Sequence, residues 1–254
     1  MADQATRAKA FHALHVKGNP LILFNIWDAG SAIAVAKAGA PALATGSWSV
    51  AAAQGYADGE NLPLDFLTRI VERIVATSDL PVSVDLEGGY GRTGEQVASA
   101  VTKVLEAGAI GFNFEDQIVG GDGIYCAEEQ AARIGAARKA AERTGCPAFI
   151  NARTDLFLKA KPEDHDQAML DDALDRARAY EQAGASGFFA PALIDESLIE
   201  RLCETSPLPV NIMALRGAPG AERLAELGVA RISHGPGPYR QMVRWLEEEA
   251  GKVY

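Results

Sequence analysis

The run Val82-Ser83-Val84-Asp85-Leu86-Glu87-Gly88-Gly89-Tyr90-Gly91 carries a β-rich stretch into two carboxylates and then breaks into glycine. Side chains two apart on a strand point the same way, so Asp85 and Glu87 are expected to project together from the strand's C-terminal end. Two anions held that close repel unless a cation or a shared proton sits between them. Oxygen-only ligands followed by a glycine turn suit Mg²⁺ or Mn²⁺. The same residues also read as a polar strand end entering a turn, and the other residues that reach this point decide between the two.

Several more polar groups stand at the ends of comparable runs. Glu115, closing Gly111-Phe112-Asn113-Phe114-Glu115, is a third carboxylate able to face the same point, or a helix-start acid favoured by the helix dipole. Arg153, in Ile150-Asn151-Ala152-Arg153-Thr154-Asp155, sits where a guanidinium could clamp a carboxylate bidentately, or pair with Glu115 or Asp155. His234 reads as a ligand, a base or a hydrogen-bonded structural residue. Asn25, Asp28, Thr45, Gly46, Ser47 and Asn211 complete the polar ends.

The elements that must position these residues repeat along the chain. Short apolar or β-branched runs at 21–25, 42–46, 82–86, 111–115, 149–153, 187–191, 210–214 and 230–234 predict eight strands, separated by Ala-, Glu-, Arg- and Leu-rich stretches at helical spacing. A phrase returns before several of them: Lys37-Ala38-Gly39-Ala40, Glu106-Ala107-Gly108-Ala109, Gln182-Ala183-Gly184-Ala185 and Glu226-Leu227-Gly228-Val229. In each a helix ends at a glycine and a small residue leads into the next strand. Elsewhere proline makes the entry, as at Pro81, Pro147 and Pro209. Strands that alternate with helices and are apolar on both faces imply a parallel sheet covered by helices. Eight such units in 254 residues predict an α/β fold, a (β/α)8 barrel forming one domain over residues 1–254. An open doubly wound sheet would carry a glycine-rich phosphate loop after its first strand, and Asn25-Ile26-Trp27-Asp28-Ala29-Gly30-Ser31 is not one.

Composition narrows the partners. A formal net charge of −10 argues against a nucleic-acid surface, which needs basic clusters. No apolar run approaches bilayer-spanning length, and the opening residues lack the order of a signal peptide, so no membrane partner and a cytoplasmic location are expected. Cys126, Cys146 and Cys203 are widely spaced, without metal-ligand spacing, and read as reduced thiols.

Taken together and in order, these motifs resemble the isocitrate lyase/phosphoenolpyruvate mutase superfamily over nearly the whole chain. Asn25-Ile26-Trp27-Asp28-Ala29-Gly30-Ser31-Ala32 is similar to the family's N-x-W-D-x-x-S-A opening. Thr45-Gly46-Ser47-Trp48, with Gly55-Tyr56-Ala57-Asp58-Gly59-Glu60, is similar to its serine loop and the acid that follows. Asp85 to Gly91 resembles its metal loop, Phe112 to Gln117 its E-D-Q strand, and Ile150 to Asp155 its A-R-[TS]-[DE] strand. The resemblance implies Asp85 as the direct Mg²⁺ ligand, with Asp58, Glu87 and Glu115 holding metal-bound waters. It implies Arg153 on a substrate carboxylate or phosphonate, backbone N–H groups near Ser47 and Trp48 on the carboxylate of a small 2-oxo acid, and Arg153, Glu115 and Asp58 as the catalytic set. Gly46, Tyr90, Asn211 and His234 join as candidates for substrate contact.

The resemblance further implies cleavage of a carbon–carbon bond next to an enolate, with phosphonate chemistry, or 2-oxo acid binding without turnover, as alternatives. One departure is plain. The carbon–carbon lyases carry K-K-C-G-H after the E-D-Q strand, whereas this chain reads Ile118-Val119-Gly120-Gly121-Asp122-Gly123-Ile124-Tyr125-Cys126. The glycines there read as a mobile lid or an ordinary solvent loop, and Cys126 as structural. Family members exchange their eighth helix between subunits, so residues 239–250, after Pro236-Gly237-Pro238, are expected to support a homotetramer.

Overall fold

The computed structural model describes residues 3–254. Eight parallel strands form the barrel: β1 (Leu21–Leu23), β2 (Leu43–Ala44), β3 (Val82–Asp85), β4 (Gly111–Glu115), β5 (Phe149–Arg153), β6 (Gly187–Ala190), β7 (Val210–Met213) and β8 (Arg231–Ser233). Their order is β1-β8-β7-β6-β5-β4-β3-β2. The remaining seam, between β1 and β2, is bridged beyond the strand ends by the parallel pair Ile26 and Thr45, with Ile26 N–H donating to the Ala44 carbonyl at 2.9 Å. The architecture is a (β/α)8 barrel.

Around it run α1 (Gln4–Ala13), α2 (Ala29–Lys37), α3 (Ser47–Ala53), α4 (Leu64–Val75), α5 (Gly94–Glu106), α6 (Ala127–Arg143), α7 (Leu156–Lys159), α8 (Gln167–Gln182), α9 (Glu196–Thr205), α10 (Ala221–Glu226) and α11 (Gly237–Ala250). None is long and apolar enough to cross a membrane. Helix starts follow capping chemistry: Asp28 accepts from Ser31 N–H at 2.7 Å to open α2, and Thr93 pairs with Gln96 in a capping box to open α5. Helix ends follow the glycine phrase. Gly108 and Gly228 adopt φ of +97° and +88°, a region that disfavours side chains.

Period-two alternation sorts each strand into inner and outer residues. The outer set, such as Val84, Phe112, Ile150, Phe188 and Ile232, is buried against the helices. Inside, Phe149 and Asn151 occupy space that a larger neighbour would need: a Cβ at Gly187 would lie 2.9 Å from both side chains.

One element leaves this pattern. In a closed barrel the helix after the last strand covers its own β8 and β1, yet Pro238 is the only buried residue of α11, and Trp245 and Leu246 are 59% and 54% exposed. The outward face of β1 is left open correspondingly. Ile22 and Phe24 are exposed and, with Val35 and Ala38 of the α2 region, border an apolar groove of about 550 Å³.

Candidate active site

Alternation along the strands brings one inner side chain from nearly every strand to the C-terminal mouth, where barrel chemistry is placed. Asp85, Asn113, Arg153, Phe189, Met213 and Ser233 arrive this way and, with Gly46, Ser47, Trp48 and Asp58, line a cavity of about 200 Å³.

Asp85 is the best oriented of the acids. Its Oδ2 accepts from Ser47 N–H at 3.0 Å and Ser47 Oγ–H at 2.8 Å, and its Oδ1 accepts from Asn113 Nδ2–H at 3.3 Å. A carboxylate has about four lone-pair directions, so these three bonds fix the group and leave about one direction open. Asn113 cannot turn its amide round, because its Oδ1 already accepts from Asn151 Nδ2 at 2.9 Å and from Arg231 at 3.2 Å. Arg231 is fully buried in the barrel with no carboxylate in contact and one guanidinium nitrogen unpartnered; burial lowers its pKa to about 9, with the Asp85 charge opposing.

The other acids surround Asp85 without being interchangeable with it. Glu87 is 5% exposed and takes the left-handed conformation, φ 52°, which folds its carboxylate back onto the loop after α3. Its Oε2 accepts from the N–H groups of Gly59 at 2.7 Å and Glu60 at 2.8 Å, while Glu60 accepts from Tyr90 N–H at 2.7 Å. The two loops are thereby stapled reciprocally. Burial first, and then the Asp58 charge, push the Glu87 carboxyl up to about 8. Partial desolvation and then Asp85 lift Asp58 above its usual range, although it stays exposed at the mouth.

Arg153 realises both of its ion-pair alternatives at once. It meets Glu115 Oε2 at 2.9 Å, and its Nε and Nη2 meet the two Asp155 oxygens at 2.6 and 3.0 Å. Burial alone would lower this guanidinium, but Glu115 and Asp155 outweigh it and raise its pKa. One cation between two carboxylates leaves a negative charge, and burial pushes Glu115 well above the usual carboxylate range with Arg153 opposing. Of five N–H donors three are engaged, so about two remain for a ligand in the cavity that Arg153 lines. The clamp foreseen from sequence is therefore partly occupied. Likewise Ser47 N–H is given to Asp85, which leaves the Trp48 N–H in the same first helical turn, where no intrahelical carbonyl can satisfy it.

Five sequence candidates fall outside the cavity lining: Glu87 and Glu115, whose carboxylates are engaged by the N–H groups of Gly59 and Glu60 and by Arg153, and Asn211, His234 and Tyr90. Asn211 points inward one layer too deep and donates to Ser233 Oγ at 3.1 Å. His234 follows the inward Ser233 and so turns outward, its ring 5.1 Å from that of Phe24 beside an outer groove. Tyr90 takes φ 54° in the loop stapled by Glu60 and does not reach the lining. The glycine-rich stretch closes on itself through an antiparallel pair, Gln117 with Ile124, and its Val119 borders a separate polar crevice of about 70 Å³. In this conformation it does not line the cavity. Cys126 is exposed at the start of α6.

The residues that sequence reading missed are Asn113, Leu158, Phe189, Pro191, Met213, Ser233, Gly235, Pro236 and Arg240. Met213 and Ser233 were within reach of strict alternation. Arg240, on the first turn of α11, lies over the Trp48 ring at 4.4 Å and needs the helix's placement to be found.

Among the described residues no three His, Cys, Asp or Glu side chains converge as a ready-made metal cage. The set does fit a hard dication: all its donors are oxygen, Asp85 has one direction open, and neighbouring acids are pushed up by burial and like charge. Mg²⁺ is ordinarily bound through one or two carboxylates with several waters retained.

An eight-stranded parallel barrel with a cavity at its strand ends, polar around Asp85, Asp58 and Arg153 and apolar on its other side, defines the class of protein. The chain belongs to the phosphoenolpyruvate phosphomutase family, whose model matches residues 11–254, within the isocitrate lyase/phosphoenolpyruvate mutase superfamily. It is similar to a crystal structure of a candidate phosphonomutase from Burkholderia cenocepacia, 51% identical, covering 99% of this chain and 100% of that one at a TM-score of 0.96. It is 34% identical to an uncharacterized protein of Mycobacterium tuberculosis, over 91% of this chain and 83% of that one. A 2-methylisocitrate lyase of Salmonella typhimurium is 31% identical, over 97% of this chain and 83% of that one.

Proposed function

We propose that the protein is a Mg²⁺-dependent enzyme, with Mn²⁺ able to substitute, that cleaves a carbon–carbon bond in a small 2-oxo acid or its 2-hydroxy derivative. One observation carries this reading: Asp85, locked by three hydrogen bonds, keeps about one lone-pair direction open at a cavity that Asp58 also lines. When bound, the cation would hold the C2 oxygen in either case: as the enolate that forms when a 2-oxo acid loses its C3 substituent to the leaving fragment, or as the alkoxide of a 2-hydroxy acid, which becomes the carbonyl as the C2–C3 pair departs with C3. Asp58, Glu87 and Glu115 would accept hydrogen bonds from waters retained by the cation. The spare N–H groups of Arg153 and the Trp48 N–H orient the ligand carboxylate. Asp58, which lines the cavity beside Asp85 and is exposed at its mouth, is placed to exchange a proton with the ligand.

The test is Mn²⁺ titration followed by calorimetry with pyruvate, and then release of a 2-oxo acid from a panel of 2-hydroxy di- and tricarboxylates. Tight Mn²⁺ binding with Mn²⁺-dependent pyruvate binding and 2-oxo acid release is the expected result. The Burkholderia relative favours a second reading, phosphonate chemistry. Loss of the phosphonopyruvate ³¹P resonance would select it, since carbon–carbon cleavage needs no phosphorus.

The assembly we propose is a homotetramer in which α11 crosses to a neighbouring barrel. The support is reciprocal: α11 leaves Trp245 and Leu246 uncovered while the β1 face leaves Ile22 and Phe24 uncovered. Light scattering should give about four times the 26.9 kDa chain mass, and Trp245→Glu should lower it.

A further inference from the structure

Two sides of the cavity differ in chemistry, while Asn25, Ser233 and Arg240 stand on the remaining side, around the end of the eighth strand. Ser47, Asp58, Asp85, Asn113 and Arg153 line the side built by the second to fifth strand units. The side built by the fifth to seventh presents Leu158 of α7, Phe189 of β6, Pro191 just after it, and Met213 at the end of β7. No side chain of these four can donate a strong hydrogen bond or neutralise a charge. Phe189 pairs in register with Arg153, its ring centroid 6.0 Å from the guanidinium, so the apolar wall begins at the anchor itself. Met213 rests its sulfur against Gly235, where a Cβ would lie 2.7 Å from it, and Leu158 is 41% exposed over the opening.

A cavity of about 200 Å³ holds roughly seven waters' share of volume, which leaves the wall side vacant when a three-carbon acid occupies the polar side. A second carboxylate turned toward the wall would lose water without gaining a partner. An alkyl group there loses only unfavourable hydration.

Resting on the reading that the Asp85 end binds a 2-oxo acid, we infer that the site selects substrates and products bearing a short apolar substituent on C3, with Met213, Phe189 and Leu158 determining that specificity. Burial of each methylene contributes about 0.8 kcal/mol, close to fourfold in affinity.

The experiment is calorimetry at saturating Mn²⁺ with pyruvate, 2-oxobutanoate and 2-oxopentanoate, with oxaloacetate as the dicarboxylate arm. The expected result is about fourfold tightening per added methylene and oxaloacetate weaker than 2-oxopentanoate. Met213→Gln places an amide on the wall at nearly the same volume and should reduce the step below about twofold. A general folding or cation-binding defect would instead weaken all three monocarboxylates alike. Leu158→Ser, at an exposed position, gives the same comparison without disturbing the core. A flat or falling series in the parent protein, steps unchanged in both variants, or tightest binding by oxaloacetate would each overturn the inference. Failure of all three monocarboxylates to bind would sink the underlying 2-oxo acid reading with it.

Discussion

The two ends of the barrel both bury titratable groups, but they do it to opposite effect. At the N-terminal end α1 lies across the opening, with His12 Nε2 3.1 Å from the Pro147 carbonyl oxygen and His15 Nδ1 2.8 Å from that of Phe11. The His15 ring stacks on Phe149 at 3.9 Å, and Phe11 meets Phe149 edge-on at 5.5 Å. Burial first, and then the Arg231 charge, push His15 down to about 3. At the C-terminal end burial and like charge push Glu87 up to about 8, just behind Asp58 and Asp85, which line a cavity. A perturbed group therefore marks a site only when others of matching chemistry converge with it on open space. The histidines are a plug, and the acids are the proposed binding set.

The largest test of this contrast is Asp85→Ala. Loss of a direct ligand should weaken Mn²⁺ by more than about a hundredfold, beyond the 10–100-fold typical of outer-sphere losses, with the far-ultraviolet circular dichroism unchanged. Retained affinity would erase the distinction between the ends. Arg153 comes next. Arg153→Met leaves Glu115 and Asp155 facing each other and should cost about 3 kcal/mol in urea unfolding. Arg153→Lys keeps the charge without the fork and should weaken 2-oxo acid binding by on the order of tenfold, with Mn²⁺ affinity little changed.

The opposite end predicts a pH effect. The His15 pKa falls from 6.5 in the unfolded chain to about 3 in the fold, so the native state binds fewer protons between those values. Its contribution is full above about pH 6.5 and is lost as pH falls toward 3. Thermal melts of His15→Leu should show a shallower decline in Tm over that window than the parent, and identical slopes would mean that His15 carries none of the pH dependence. The smallest expected effect is that of His12→Ala, which should leave Mn²⁺ and pyruvate affinity within about twofold while lowering stability by roughly 1 kcal/mol.

Much of this molecule is legible in the order of its residues alone. β4 and β5 span the residues that their apolar runs mark, 111–115 and 149–153. β1 stops short of Asn25 because that side chain leaves the ladder to bind Thr45 O and the N–H groups of His234 and Gly235, tying three strand ends together. Within the candidate site, Asp85, Arg153, Ser47 and Trp48 come from the strand ends and loops where motif spacing places them. The misreadings of Asn211 and His234 are errors of depth and parity: both stand near a strand end, but one lies a layer below the cavity and the other faces outward. Leu158 and Arg240 could not be found by either rule. Each rides on a helix whose tilt toward the mouth depends on tertiary packing, which no local period encodes.

The first turn of α11 has two neighbours at once. Tyr239 packs edge-on against Trp27 at 5.1 Å and Trp48 at 5.9 Å, and Arg240 caps the same Trp48 that walls the cavity. Any ligand that presses on Trp48 therefore presses on the root of the helix. Free-energy coupling runs equally in both directions, so whatever seats α11 more firmly must tighten the ligand by the same factor that the ligand tightens the helix. With α11 docked on another barrel, occupancy of one cavity would be felt next door, and the binding isotherm of the assembly would depart from that of independent sites.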